Sequence, residues 1–241
     1  MNRFVKALAA VMLMTMVVIT VGCKPDEESN DNGGGNGNNT VTHEYVDLGL
    51  PSGTLWATCN VGADTPEGYG YYFAWGETQQ KEAYNWSTYK YSQGNSDQLT
   101  KYCSVSELGY EGFTDNLTVL LPEDDAATVL WGDEWQIPSY DQCRELEHNT
   151  SNFWTTRDGV NGRVFTAKNG NSIFLSASGG WDDGELNNVG VAVHYWGNHI
   201  LYEDRPKCAY DFAFGVNGFY TNLYGTDNRQ YGRPIRAVRK Q

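Results

Sequence analysis

The stretch GVAVHYWGNHILYEDRPKCAYDFAFGVNGFYTNLYGTDNRQYGRPIRAVRKQ, residues 190–241, decides the fold. Two kinds of residue are mixed in it. Ala209–Phe214 and Ile235–Arg239 carry apolar side chains at alternate positions, the signature of half-buried strands. Around them, Tyr, Trp, Asn, His and Asp crowd positions 194–231 at irregular spacing. A regular scaffold that also presents aromatic and amide groups suits a binding surface, because flat rings supply contact area at small entropic cost and amides add directional hydrogen bonds.

Upstream the chain continues in short β-rich pieces. Glu44–Leu50 alternates and turns at Pro51-Ser-Gly53; Thr54–Val61 and Tyr71–Trp75 read as further strands. Residues 77–118 form a long polar and aromatic connection, a length that points to function or to its own aromatics holding it down. Pro122–Trp131 is expected to be a helix, with Pro and three acids in its first turn and Gly132 at its end. Ser139 and Gln142 have capping-box spacing for a second helix, with Cys143 and Leu146 facing inward. Strands follow at Trp154–Thr156, Gly162–Ala167 and Ser172–Ser178, with Gly170 in a hairpin turn and residues 179–184 as a loop. Two short helices amid many short strands predict an α+β domain with antiparallel sheets.

The N-terminus carries an address. Arg3 and Lys6 precede an apolar run from Ala7 to Val21, so residues 1–22 are expected to be a signal peptide rather than a membrane span. The run ends at Thr20-Val-Gly-Cys23, which resembles a bacterial lipoprotein box in which Cys23 is lipidated, for example with palmitate. Residues 23–40 are Gly/Asn-rich and cannot bury a core; they read as a tether, leaving 41–241 as one domain. The expected location is the outer membrane, anchored by acyl chains worth about 0.8 kcal/mol per buried methylene. The acidic cluster after Cys23 resembles the surface-export signal of Bacteroidetes lipoproteins, which implies cell-surface exposure.

The charge balance narrows the partners. After Cys23 there are 15 Lys and Arg (17 less Arg3 and Lys6) against 30 Asp and Glu, hence 15 − 30 = −15. Nucleic acid needs a positive footprint and is not an expected partner. Cys59, Cys103, Cys143 and Cys208 show no metal spacing; two disulfides in an oxidising envelope and buried free thiols both remain open. No HExxH, GxSxG or Walker sequence is present, and His43, His148, His194 and His199 lack a metal-ligand spacing. No enzyme activity, cofactor or metal is expected.

Several motifs carry a family resemblance. Tyr45–Ala63 (YVDLGLPSGTLWATCNVGA), Tyr72–Thr78 (YFAWGET), Leu121–Thr128 (LPEDDAAT) and Gly232–Arg239 (GRPIRAVR) resemble, in order and over nearly the whole of 41–241, the Fibrobacter succinogenes major paralogous domain. That family is abundant in Bacteroidetes lipoproteins and is grouped with the C-type lectin-like fold. Trp135–Leu146 is similar to the strand-to-helix joint of that superfold. The resemblance implies a C-type lectin-like fold whose C-terminal part is the ligand face, the part that also varies in targets of diversity-generating retroelements. Trp181-Asp-Asp183 is similar to half of a lectin calcium motif whose companion tripeptide is absent, so it reads as a Gly-flanked turn.

The expected function is recognition of a glycan or a protein at the cell surface. The ligand-binding candidates are Tyr195, Trp196, Asn198, His199, Tyr202, Tyr220, Asn222, Tyr224, Asn228 and Tyr231. Phe212 and Phe214 are expected in the core, as is much of Trp196. Tyr195–Asp204 and Asn217–Tyr231 are expected to be the presented loops, and Ala209–Phe214 and Ile235–Arg239 their scaffold. The alternative is a structural subunit of an adhesin or surface assembly.

Overall fold

The computed structural model describes residues 42–216, 218–219 and 225–239. Within them the chain is an α+β fold of mostly antiparallel sheets with two α-helices. The signal-peptide, Cys23 and tether expectations, and the candidates Tyr220, Asn222 and Tyr224, lie outside the described residues.

In chain order the elements are β1 (Tyr45–Asp47), β2 (Leu55–Ala57), α1 (Ala126–Trp131), β3 (Trp135–Gln136), α2 (Tyr140–Asn149), β4 (Thr150–Arg157), β5 (Val160–Ala167), β6 (Ser172–Ser176), β7 (Gly180–Asp182), β8 (Glu185–Asn187), β9 (Ala192–Trp196), β10 (Cys208–Gly215), β11 (Gly218–Phe219), β12 (Thr226–Asn228) and β13 (Val238–Arg239). One sheet, ordered β1-β2-β13-β3, pairs the two ends of the domain, with Val238 opposite both Trp56 and Gln136. A second has β10 between β9 on one side and β11 and β12 on the other. The meander β4-β5-β6 and the ribbon β7-β8 complete the set.

Two hydrophobic cores flank these strands, and neighbouring residues divide between them. Trp196, Ala209 and Ala237 belong to the first core with Phe73, Trp75, Tyr102 and Ile235. Tyr195, Tyr210 and Val238 belong to the second with Trp56, Leu146, Phe165, Leu175, Phe212 and Phe214. Period-two alternation therefore buries both faces of this part of the sheet.

The helices differ from each other in how closely they follow local chemistry. α2 has its capping box: Gln142 N donates to Ser139 Oγ at 3.2 Å and Ser139 N to Gln142 Oε1 at 2.9 Å, while Cys143 and Leu146 are buried. The helix expected over Pro122–Trp131 is instead a 3₁₀ turn, Pro122–Asp124, followed by α1. Asp125 breaks the run because it is the N-cap, accepting from Ala127 N at 2.9 Å and Thr128 N at 3.1 Å. The acids there are not simply first-turn charge. Asp124 is 2% exposed and accepts from Tyr102 Oη at 2.6 Å, Lys101 Nζ at 2.5 Å and Tyr91 Oη.

Three other expectations are corrected, and the choice left open for the cysteines is narrowed. Tyr71–Trp75 contributes only a single bridge, Phe73 to Arg233. Residues 179–184 are not all loop, since Asp183 and Gly184, with φ of 50° and 93°, close the β7-β8 ribbon in the turn that Asp-Gly favours. Cys103, Cys143 and Cys208 are free thiols, which rules out two disulfides among the four domain cysteines. The segment Tyr195–Asp204 begins as the buried end of β9.

The long 77–118 connection is pinned by the C-terminal stretch. Arg229 is fully buried; its Nε donates to Tyr89 Oη at 2.8 Å, and its Nη atoms donate to the carbonyls of Lys101, Tyr102 and Pro206 at 2.8–3.0 Å. The guanidinium also lies 5.1 Å from the Trp75 ring and 5.2 Å from that of Tyr89. Arg236, 1% exposed, ties Asn60 Oδ1 and Thr58 O in the same way.

Candidate functional site

The sheet β9-β10-β12 carries a charged cluster on one face. Tyr210, Phe212 and Phe214 of β10 point into the second core, so alternation turns Asp211 to the opposite face. His194 on β9 stands opposite Ala213, two residues along from Asp211, and Asp227 on β12 stands opposite Ala209, two residues the other way. Three adjacent strands thus bring residues 194, 211 and 227 together, with ligand-type atoms within 4.8 Å of one another.

The hydrogen bonds in this cluster are specific. His194 Nδ1 lies 2.7 Å from Asp211 Oδ2, and Asp211 Oδ1 accepts from Tyr195 N at 3.1 Å. Arg233, 3% exposed, donates from Nε to Asp227 Oδ2 at 3.0 Å and from Nη2 to both Asp227 and Asp182. It reaches Asp182 by crossing Gly180, where a Cβ would collide with the guanidinium. The backbone of Trp181 pairs with Gly232 in both directions at 2.9 Å, holding the β7-β8 ribbon beside the cluster.

The electrostatics follow from burial and pairing. Burial opposes protonation of His194, but the charge and hydrogen bond of Asp211 outweigh it and raise its pKa. Burial raises Asp227 against the pull of Arg233. The side chains of Asp182, Asp227 and His194 keep 29%, 21% and 16% exposure, so the cluster opens to solvent while Asp211 and Arg233 frame it from below.

The structure divides the sequence-predicted ligand residues. Tyr195 and Trp196 are 1% and 0% exposed: Tyr195 is corrected to core, and Trp196, expected there in large part, is wholly core and not a ligand contact. Trp196 Nε1 donates to Phe73 O at 2.7 Å, so even its polar edge is used internally. Asn228 and Tyr231 are half-buried; Tyr231 sits beside the cluster under the Arg233 guanidinium at 5.2 Å, whereas Asn228, the next residue after Asp227 on β12, meets Cys208 Sγ with its Oδ1 at 3.7 Å. Burial raises the Tyr231 pKa.

Asn198 and His199 lie elsewhere. The Asn198 backbone is stitched to Leu120 N at 2.8 Å and Pro138 O at 3.0 Å. His199 is half-buried between the rings of Tyr210 at 5.4 Å and Tyr140 at 6.1 Å, on the second-core side, where burial lowers its pKa. Tyr202 is 38% exposed with Arg205 over its ring at 5.4 Å.

Sequence reasoning missed His194, Asp211, Asp227 and Arg233 as a group, because spacings of 17 and 16 residues form no local motif. The one available signal was an Asp at the centre of an otherwise apolar alternation, Ala209–Phe214. Away from this cluster, a polar cavity of about 420 Å³ is lined by Glu77, Thr78, Gln79, Gln80, Lys81, Thr88 and Lys90; Glu77 Oε1 there accepts from Lys81 Nζ and Lys90 N, both at 2.8 Å.

The fold and site define an α+β protein with a polar cluster seated on rigid strands. Comparison with family models, with curated proteins and with solved structures returned no match. Among the described residues no helix is long and apolar enough to cross a membrane.

Proposed function

We propose that the chain is a surface-anchored lipoprotein, held in the outer membrane through Cys23, whose domain is a non-enzymatic ligand-binding module. The domain resembles the Fibrobacter succinogenes major paralogous domain and, by that resemblance, the C-type lectin-like fold. The antiparallel closure of its two ends through β2 and β13 is compatible with that fold. Its ligand is a glycan or a protein, met by Asn228 and Tyr231 together with Tyr220, Asn222 and Tyr224. The same reading makes the 217–231 stretch the segment that varies if the gene is a retroelement target.

One observation carries this reading. The C-terminal stretch separates into a buried frame, anchored by Arg229, Arg233 and Arg236, and a half-buried polar set, His194, Asp227, Asn228 and Tyr231, which Asp182 of β7 joins through Arg233. A rigid frame under adaptable polar and aromatic groups lowers the ordering cost of binding. Glycan-array and pull-down measurements with the purified chain test it. Retention should fall at least about tenfold, roughly 1.4 kcal/mol, when Tyr220, Tyr224 and Tyr231 are changed to Ala. Unchanged retention, or no retained ligand, refutes it.

The structural-subunit reading is favoured by a different feature. β4 is an eight-residue edge strand with Phe153 57% exposed on it, and such edges template pairing with another chain. Concentration-dependent self-association abolished by Phe153→Lys would support it.

A further inference from the structure

We propose that His194, Asp211 and Asp227 form a binding site for one divalent metal ion of the zinc class. The three residues offer one imidazole nitrogen and two carboxylates, with ligand atoms within 4.8 Å of one another on three adjacent strands. Imidazole selects zinc-class ions over Ca²⁺ and Mg²⁺, which prefer all-oxygen sets, and three protein ligands leave a fourth position open to water or a ligand.

Charge supports the assignment. Among the described residues the charged groups bonded to this cluster include Asp182, Asp211 and Asp227 against Arg233, so with His194 neutral these sum to −3 + 1 = −2. A single divalent ion between His194 Nδ1 and Asp211 Oδ2 brings that sum to zero, the neutral imidazole keeping its one proton on Nε2. An imidazolium His194 gives up its Nδ1 proton to solvent as the ion binds, as metal binding to an imidazole requires.

The outer shell is also in place. The amide of Tyr195 orients the Asp211 carboxylate and Arg233 orients that of Asp227, which is the support that ligating groups need. Tetrahedral coordination with bonds of about 2.0–2.2 Å holds neighbouring ligands about 3.4 Å apart, so the His194–Asp211 pair opens modestly and Asp227 closes in. Solvent reaches the site past His194 and Asp227, whose side chains keep 16% and 21% exposure. The proposal is independent of the ligand-binding reading, since the ion alone is the probe.

The test is calorimetric titration of the chelator-treated chain with Zn²⁺, together with the absorption spectrum of its Co²⁺ form. One ion per chain is expected. His194→Ala should weaken binding by at least about tenfold, the loss that removal of even an outer-shell partner produces. Cys208→Ser and His148→Ala should bind as the wild type does, and the Co²⁺ form should lack a thiolate charge-transfer band. Should His194→Ala not fold, the wild-type chain still decides: Co²⁺ must shift the ring resonances of His194 before those of His43, His148 and His199. No binding, unchanged affinity in a folded His194→Ala variant, a thiolate band, or shifts centred on another histidine overturns the proposal.

Discussion

Arg229 Nε donates to Tyr89 Oη at 2.8 Å, joining two residues 140 positions apart with both side chains buried. Through this contact the C-terminal stretch holds down the 77–118 connection, which has almost no regular structure of its own beyond short 3₁₀ turns. Replacing Arg229 with Met keeps much of the volume but leaves the carbonyls of Lys101, Tyr102 and Pro206 and the Tyr89 hydroxyl without their donor. Each unsatisfied buried group costs about 1–3 kcal/mol, so Arg229→Met should lose on the order of 3 kcal/mol or more in urea unfolding. Limited proteolysis should cut first within 77–118.

Asp124 gives the chain a pH dependence of known sign. Burial opposes its ionisation, but hydrogen bonds from Lys101, Tyr102 and Tyr91 outweigh that and lower its pKa below the usual carboxylate range. A depressed folded-state pKa means its stabilisation is fully present above the unfolded-state pKa and is lost as pH falls through the folded-state value. Unfolding free energy measured from neutral pH down into the acid range should therefore decline. In Asp124→Asn the chain should start less stable and decline less steeply over the same range. Parallel curves would contradict this account.

Asp125 serves two elements at once. Its Oδ1 caps α1 while Oδ2 accepts from Ile137 N at 2.8 Å, fixing the strand-to-helix joint before α2. Cap removal alone costs about 1 kcal/mol, and the orphaned Ile137 amide adds about 1–3 kcal/mol. Asp125→Ala should accordingly destabilise by about 2–4 kcal/mol in thermal or urea melts. Asp125→Asn should recover part of that loss.

Gly180 is required by the path of Arg233. A methyl group there collides with the guanidinium and forces it off Asp182 and Asp227. Gly180→Ala should cost about 1–3 kcal/mol, the range for overpacking, and perturb the amide resonances of Asp182 and Asp227 more than those of α2. A variant that melts with the wild type and leaves those resonances in place would show that Arg233 has room to move.

Local chemistry alone determined a definite part of this protein. Ser139 and Gln142 specify the start of α2, and the alternation in Ala209–Phe214 specifies β10, because both depend only on neighbours a few residues away. The antiparallel α+β class follows from the run of such short elements. The same alternation did not reveal how Tyr195 and Trp196 would be used. Adjacent aromatics in a polar stretch looked presentable, yet β9 lies between two cores and buries one on each side. Asp124 looked like helix-start charge until Tyr91, Tyr102 and Lys101 arrived from a distant loop to enclose it. His194, Asp211, Asp227 and Arg233 became a site only when β9, β10 and β12 paired in one register. Capping and alternation are short-range interactions and so can be read along the chain. Burial and charge pairing depend on which distant segment arrives at the other face, and only the tertiary structure decides that.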